Sequence, residues 1–257
     1  MENSDRLFNL QLSRRQALAM FRAAGAATVA VACSPRQFGT ARTASISTPT
    51  SSSATTGALP GCVVSPQQTE GPYFVNEHLN RSDIRSDPAD GSVKAGVPLQ
   101  LRLNVSQVGS TSCTPLVGAI VDVWHCDALG VYSDVQDRSF DTRGEKFLRG
   151  YQVTDNNGAV QFTTIYPGGY QGRTVHIHFK VRTDATSQQG YEFTSQLYFD
   201  DAITAQVYTQ QPYVSKGQRT LKNAQDGIFQ RGGNQLLLAL KKVSQGYAGA
   251  FDIGLQV

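Results

Sequence analysis

The 257-residue sequence contains no apolar run approaching the ~20 residues that a membrane-spanning helix needs. The run AAGAATVAVAC at residues 23–33 stops well short of that length. No internal repeat is visible, which excludes a solenoid or a propeller built from copies of one unit. Helical periodicity is scarce, which argues against a helical bundle. The sequence also lacks a real charge imbalance. The formal net charge is +3, but six of the 23 basic side chains and two of the 20 acidic ones precede Leu59. The remaining 17 and 18 nearly cancel, so nothing in the body of the chain asks for nucleic acid.

What is present falls into three parts. Ser13, Arg14, Arg15, Gln16, Ala17 and Leu18 form a twin-arginine pattern ahead of the short apolar run, so residues 1–33 read as a bacterial export signal. Cys33 would be the acceptor in a lipid-anchored reading, but Ala30 stands where a larger aliphatic residue is usual, which makes that the lesser reading. Residues 34–58 are rich in Ser, Thr and Ala and bury too little apolar surface to offset ordering entropy, so they read as a flexible tether. Residues 59–257 are enough for one domain with a sizeable core. Export leads to an oxidising compartment, where Cys62 and Cys113 are expected to pair, with three free thiols as the alternative; Cys126 is expected to be buried.

The alternation at residues 99–105 marks a half-buried strand, and residues 119–126, 147–154, 160–165, 173–181, 193–199, 236–240 and 250–255 read as further strands. Asp155, Asn156, Asn157 and Gly158 are read as a hairpin turn, because Asn-Gly favours the positive backbone angles such turns use. Short strands with regular turns predict an all-β sandwich of mostly antiparallel strands. The exception is a long excursion over residues 203–228, with one short helix expected near 201–208.

The chemistry concentrates in residues 165–181, IYPGGYQGRTVHIHFKV. On a strand, Val175, Ile177, Phe179 and Val181 share the core face, while His176 and His178 share the other, roughly 6.5 Å apart at the backbone. That separation lets two imidazoles converge on one metal ion, although a surface His-x-His pair needs no such purpose. Tyr170 follows the turn at Pro167, Gly168 and Gly169, Arg173 lies three residues before His176, and Tyr132 ends the unit ALGVY. Two phenolates with two neutral imidazoles form a hard donor set that favours a trivalent ion over zinc or copper(I), and ferric iron is the natural candidate.

The segments TEGPYF, VDVWHCDALGVY, FLRGYQVTDNNG, IYPGGY, RTVHIHF and SQLYF, in this order, resemble the intradiol ring-cleavage dioxygenases, the catechol and protocatechuate dioxygenase family. The likeness spans residues 62–199 and is greatest to exported, single-chain members. It implies that Tyr132, Tyr170, His176 and His178 bind non-haem Fe(III), with Tyr170 and His178 axial and Tyr132 and His176 equatorial. It implies that Tyr170 accepts a proton from the diol, that Arg173 and Gln196 stabilise charge on the activated ring, and that Tyr73 lines the substrate pocket. The activity implied is O2-dependent cleavage of a catecholic ring between its hydroxyl-bearing carbons to a cis,cis-muconate-type diacid, with no organic cofactor or external reductant.

Two departures from the family shape further expectations. Only five residues separate Tyr170 from His176, where the cytoplasmic enzymes carry an insertion, so a more open site and a diol larger than catechol are expected. The helical dimerising domain of catechol 1,2-dioxygenases has no counterpart, which leaves open whether this chain forms a homodimer. Release into the periplasm or medium and a membrane tether through the leader also stay open. The competing readings are a copper or zinc enzyme using His125, His176 and His178, and a metal-free exported β-sandwich that binds sugars or proteins.

Overall fold

The computed structural model describes residues 63–170, 172–183, 190–217 and 221–257. The expected leader, the tether and Cys62 lie outside the described residues. In chain order the elements are β1 (Pro98–Val108), β2 (Cys113–Pro115), β3 (Ile120–Trp124), β4 (Arg149–Val153), β5 (Ala159–Ile165), β6 (His176–Arg182), β7 (Glu192–Tyr198), α1 (Asp201–Val207), β8 (Ala239–Lys242) and β9 (Tyr247–Leu255).

One sheet is ordered β2-β1-β9-β8 with β5 also paired to β1, and the other is ordered β4-β3-β6-β7. The pairings are antiparallel except for β1 with β9, which is parallel. Leu99, Leu101, Leu103 and Val105 of β1 face Val121 and Val123 of β3 and Ile177, Phe179 and Val181 of β6 in one buried cluster between the sheets. Removing each such side chain from water contributes roughly 1.5–3 kcal/mol, so the period-two pattern fixes which face of each strand turns inward. This is the β-sandwich that the sequence predicts.

The turn at Asp155–Gly158 forms, with Gly158 N donating to Asp155 O at 2.9 Å and Gly158 at φ 71°. It does not join a hairpin. β4 pairs with β3 and β5 pairs with β1, so the chain crosses from one sheet to the other at this corner. The cause is docking on β1: Val105 N donates to Gly158 O at 2.7 Å, and the turn's exit runs along β1 instead of back along β4. A second difference lies at the start of β6, which begins at His176 and not at Arg173. Thr174 N donates to the Asp226 carboxylate at 2.8 Å, so this stretch satisfies itself on a loop and not on a neighbouring strand.

The excursion contains α1, whose first N–H groups are capped by the Asp200 side chain, followed by single 3-10 turns at Tyr213–Lys216 and Asn223–Gln225. Among the described residues, no helix is long and apolar enough to cross a membrane.

Candidate metal centre

The register of the second sheet sets out the site. Directly paired residues share a face, and β4, β3, β6 and β7 place Arg149, Trp124, His178 and Gln196 in one row, with His176 opposite Tyr198 beside it. The Trp124 indole lies flat on the His178 ring, with centroids 4.9 Å apart and planes 7° apart. β6 is buried on both faces, so the imidazole face is not open sheet surface. Residues 68–74 cover it: Gln68 N donates to Thr194 O, and Gln196 Nε2 donates to Thr69 O at 2.8 Å. Lys180 pins the same stretch through ion pairs to Glu70 and Glu192 and by lying 4.0 Å over the Phe74 ring.

The two tyrosines enter on a pair of turns packed against each other. Asp127 organises the first: its side chain accepts from Leu129 N and Val131 N at 2.9 and 3.0 Å, and its carbonyl accepts from Gly130 N. Gly168 N then reaches back to the same Asp127 carbonyl at 3.0 Å. A Cβ on Gly168 would lie 2.4 Å from Ala128 O, so only glycine allows the second turn to sit this close to the first. The result brings the Tyr132 and Tyr170 rings within 5.7 Å of each other.

The four rings expected from the sequence come together. Tyr132 is 6.4 Å from His178, Tyr170 is 5.7 Å from His176, and the imidazoles are 4.6 Å apart, centroid to centroid. Tyr132, His176 and His178 are buried, and Tyr170 is half-buried. The His176 Nδ1 atom lies 2.7 Å from the Thr174 carbonyl, which can only accept, so this nitrogen carries the proton and Nε2 presents a lone pair. That lone pair faces His178 Nε2 at 3.0 Å. Burial, with Arg173 adding to it, pushes His176 down to about 3, and burial also lowers His178 far below the ordinary histidine range, so both rings are neutral. The Tyr132 hydroxyl is buried without a hydrogen-bond partner among the described residues, and burial drives its pKa well up.

The Tyr132 hydroxyl is costly to bury alone, and a cation beside it would complete it while drawing on the two imidazole nitrogens that face each other at 3.0 Å. Two oxygen and two nitrogen donors suit a hard trivalent ion. The residues therefore fit the ferric ion that the sequence pattern implies.

Arg173 and Gln196 join the site as one unit. Arg173 Nη2 donates to Gln196 Oε1 at 2.6 Å, and Arg173 Nη1 lies 3.4 Å from His176 Nε2. Gln196 is fully buried, its amide orientation fixed by donation to Thr69 O. Tyr73 stacks on Tyr132 with centroids 4.5 Å apart, meets Tyr170 edge-on at 5.8 Å, and donates its hydroxyl to Asp137 at 2.7 Å. An open cleft of about 590 Å³ reaches the site, lined by Tyr73, Leu129, Val131, Phe140, Tyr170 and Lys216 among others. Lys216 belongs to the excursion, and its ammonium also bonds the carbonyls of Leu129 and Gly169, which lie on the two tyrosine-bearing turns.

His125 is not part of the cluster. Its Nε2 lies 2.7 Å from Thr164 Oγ1 and its Nδ1 2.8 Å from the Cys126 carbonyl, on the opposite face from Trp124. Burial pushes its pKa down to about 4. The copper or zinc set of His125, His176 and His178 therefore does not form, and among the described residues no group of three or more His, Cys, Asp or Glu side chains gathers. Cys126 is a buried free thiol held up at about 12 by burial, as expected, and Cys113 is disulfide-bonded. Two functional residues went unread in the sequence. Asp226 holds Arg173 from a loop with no periodicity to betray it, and Trp124 read only as strand content although its register opposite His178 makes it the platform for that ring.

In this β-sandwich two turns and one strand gather two phenols and two imidazoles beside an open cleft, a donor set that suits a hard metal ion. The family model described as Dioxygenase matches residues 69–227, more than half of the chain, and the chain belongs to that family, the intradiol ring-cleavage dioxygenases. The solved structure of an intradiol ring-cleavage dioxygenase from Tetranychus urticae is 32% identical, with a TM-score of 0.65 over 75% of this chain and 94% of that one. Chlorocatechol 1,2-dioxygenase of Pseudomonas putida is 34% identical over 33% of this chain and 36% of that protein. The chlorocatechol 1,2-dioxygenase of Rhodococcus opacus is 28% identical over 51% of this chain and 54% of its own. The chain thus spans between a third and about half of the length of these curated relatives.

Proposed function

We propose that this protein is a non-haem Fe(III) intradiol dioxygenase, which cleaves a catecholic ring between its hydroxyl-bearing carbons with O2 to give a cis,cis-muconate-type diacid. The observation that carries this reading is the convergence of Tyr132, Tyr170, His176 and His178 around an orphaned hydroxyl and facing imidazole nitrogens. These four side chains would hold the iron, which would supply Lewis-acid charge to a bound diol.

The chain's own groups do the rest. Tyr170, the half-buried tyrosine lining the cleft, would be a phenolate when it holds the metal, and its Oη atom would then take a proton from the incoming diol and become a neutral phenol. Arg173 directs its Nη1 edge toward the ring of donors, where it stabilises negative charge that develops on the substrate, in the manner of an oxyanion hole. Tyr73, fixed by Asp137 and stacked on Tyr132, forms an aromatic wall. The open cleft, walled by Leu129, Val131 and Phe140, suits a diol larger than catechol itself.

The twin-arginine pattern at residues 13–18 puts the enzyme outside the cytoplasm, and the disulfide at Cys113 supports this, since disulfides persist in oxidising compartments.

The test is a visible absorption spectrum of the purified protein in air, before and after addition of catechol, protocatechuate or hydroxyquinol. A broad tyrosinate-to-iron band that shifts to longer wavelength with a diol, then decays as a muconate absorbance grows, is the expected result. A colourless protein that takes up no iron after ferrous reconstitution in air would overturn the reading and leave a binding role.

A further inference from the structure

Arg173 sits in a circuit of polar contacts that no motif announces. Its Nε donates to Asp226 Oδ2 at 2.8 Å, and its Nη2 donates to Gln196 Oε1 at 2.6 Å. The Tyr198 hydroxyl donates its one proton to Gln68 Oε1 at 2.6 Å, and its oxygen lies 3.1 Å from the same Gln196 oxygen. The Gln68 amide donates to the Ile228 carbonyl at 3.2 Å, and Ile228 N donates back to Asp226 Oδ1 at 2.7 Å. Gln68, Gln196, Tyr198 and Asp226 are buried, and Arg173 and Ile228 are half-buried.

Asp226 is the hub of this circuit. Its Oδ2 takes Arg173 Nε and Thr174 N, both at 2.8 Å, and its Oδ1 takes Ile228 N at 2.7 Å and Phe229 N at 3.1 Å. Those four bonds fill its lone-pair capacity, and the side chain is 1% exposed. It therefore has nothing left to offer a substrate. Burial raises its pKa, but the backbone donors at Thr174 and Phe229 and the Arg173 charge outweigh this and keep it ionised.

The guanidinium has five N–H donors in a fixed plane, and fixing two of its three nitrogens fixes the third. With Nε on Asp226 and Nη2 on Gln196, the Nη1 edge is turned to the site, where it lies 3.4 Å from the lone pair of His176 Nε2. We propose that Asp226 is a positioning residue, reaching from the excursion to aim the Nη1 edge of Arg173 into the reaction site, and that Gln196 is its counterpart on the sheet and not a direct contact of the substrate. The kinetic consequence rests on the dioxygenase reading above, whereas the geometric one does not.

The experiment therefore has two arms. In the first, arginine-selective 15N spectra of the full chain are compared with those of Arg173→Lys to assign the Arg173 Nε–H. This resonance is expected to exchange with water at least 10-fold more slowly than that of an exposed arginine such as Arg143, and to lose its protection in Asp226→Asn. Arg173 Nε–H exchanging as fast as an exposed arginine in the unaltered protein overturns the proposal, whether or not any variant folds and whether or not any diol turns over.

In the second arm, Asp226→Asn keeps the shape and an acceptor for the Ile228 and Phe229 amides but sets an amide against Arg173. Outer-shell losses of this kind cost on the order of 10–100-fold, and here the loss is expected in kcat, with KM within ~3-fold, because the interaction matures only as charge develops. Adding Asp226→Asn to Arg173→Ala is expected to cause no further loss, since both changes remove the same group's effect. Additive losses, or a kcat unchanged in Asp226→Asn, overturn the proposal. An unaltered protein that cleaves no diol counts against the dioxygenase reading alone and leaves the first arm to decide.

Discussion

Tyr132 carries a hydroxyl that the fold buries without giving it a hydrogen-bond partner among the described residues. A group like this weakens a protein unless something outside the chain completes it, because an unsatisfied buried donor costs about 1–3 kcal/mol. Tyr132→Phe removes that penalty together with one metal donor. The iron-free variant is therefore expected to melt at the same temperature as the iron-free parent or a few degrees above it, while the iron bound per chain falls at least 10-fold. Calorimetry of the stripped proteins and metal analysis check this, and a lower melting temperature in the stripped variant would show that the hydroxyl has a partner in solution. At this scale the sequence was informative about side chains that act directly and silent about those that act through others. The spacing of the two histidines on a strand and the tyrosine after each glycine turn were visible as local patterns. Asp226 was invisible because its partner Arg173 is far away in sequence and joined to it only by folding.

The two turns that carry the tyrosines and the strand that carries the histidines act together as elements. Gly168 is where they are most tightly constrained, with the place of a Cβ already occupied by Ala128 O. Gly168→Ala must push the turns apart, and overpacking of this kind costs about 1–3 kcal/mol. The variant is expected to lose that much stability in denaturant titration and to bind iron more weakly than the parent, since Tyr132 and Tyr170 would separate. Unchanged stability would mean that the turns yield freely. The strands themselves were legible from alternation, because the period-two pattern reports burial directly. The Asp155–Gly158 turn misled as to connectivity: Asn-Gly dictates a tight reversal locally, but which strand each arm joins is decided by docking on Val105 of β1, a contact no local pattern encodes.

Over the whole molecule, the proposed iron would contribute to the fold's stability as well as to its chemistry. A ligand present at 1,000 times its dissociation constant stabilises the state it binds by about 4 kcal/mol. A domain of this size shifts its melting temperature by ~2–4 °C per kcal/mol. Removing iron with a chelator is expected to lower the melting temperature by roughly 8–16 °C, and readdition of ferrous iron in air to restore it. A melting temperature indifferent to iron would separate the cluster from the fold. The excursion belongs to the same scale, since it reaches the site at Lys216 and Asp226 and so ties the periphery to the centre.

The parallel pairing of β9 with β1 has a consequence in time. Leu99 lies opposite Tyr247 and the register runs unbroken to Gln107 opposite Leu255, so β1, paired with β5 along one edge, keeps its other edge bare until β9 emerges. β8 hangs on β9 alone, so two of the five strands of that sheet wait on β9. Such long-range closure is slow, and the partly assembled sheet exposes a bare edge while it waits. The sandwich can therefore close only after β9 has left the ribosome, however early the rest of the chain is made.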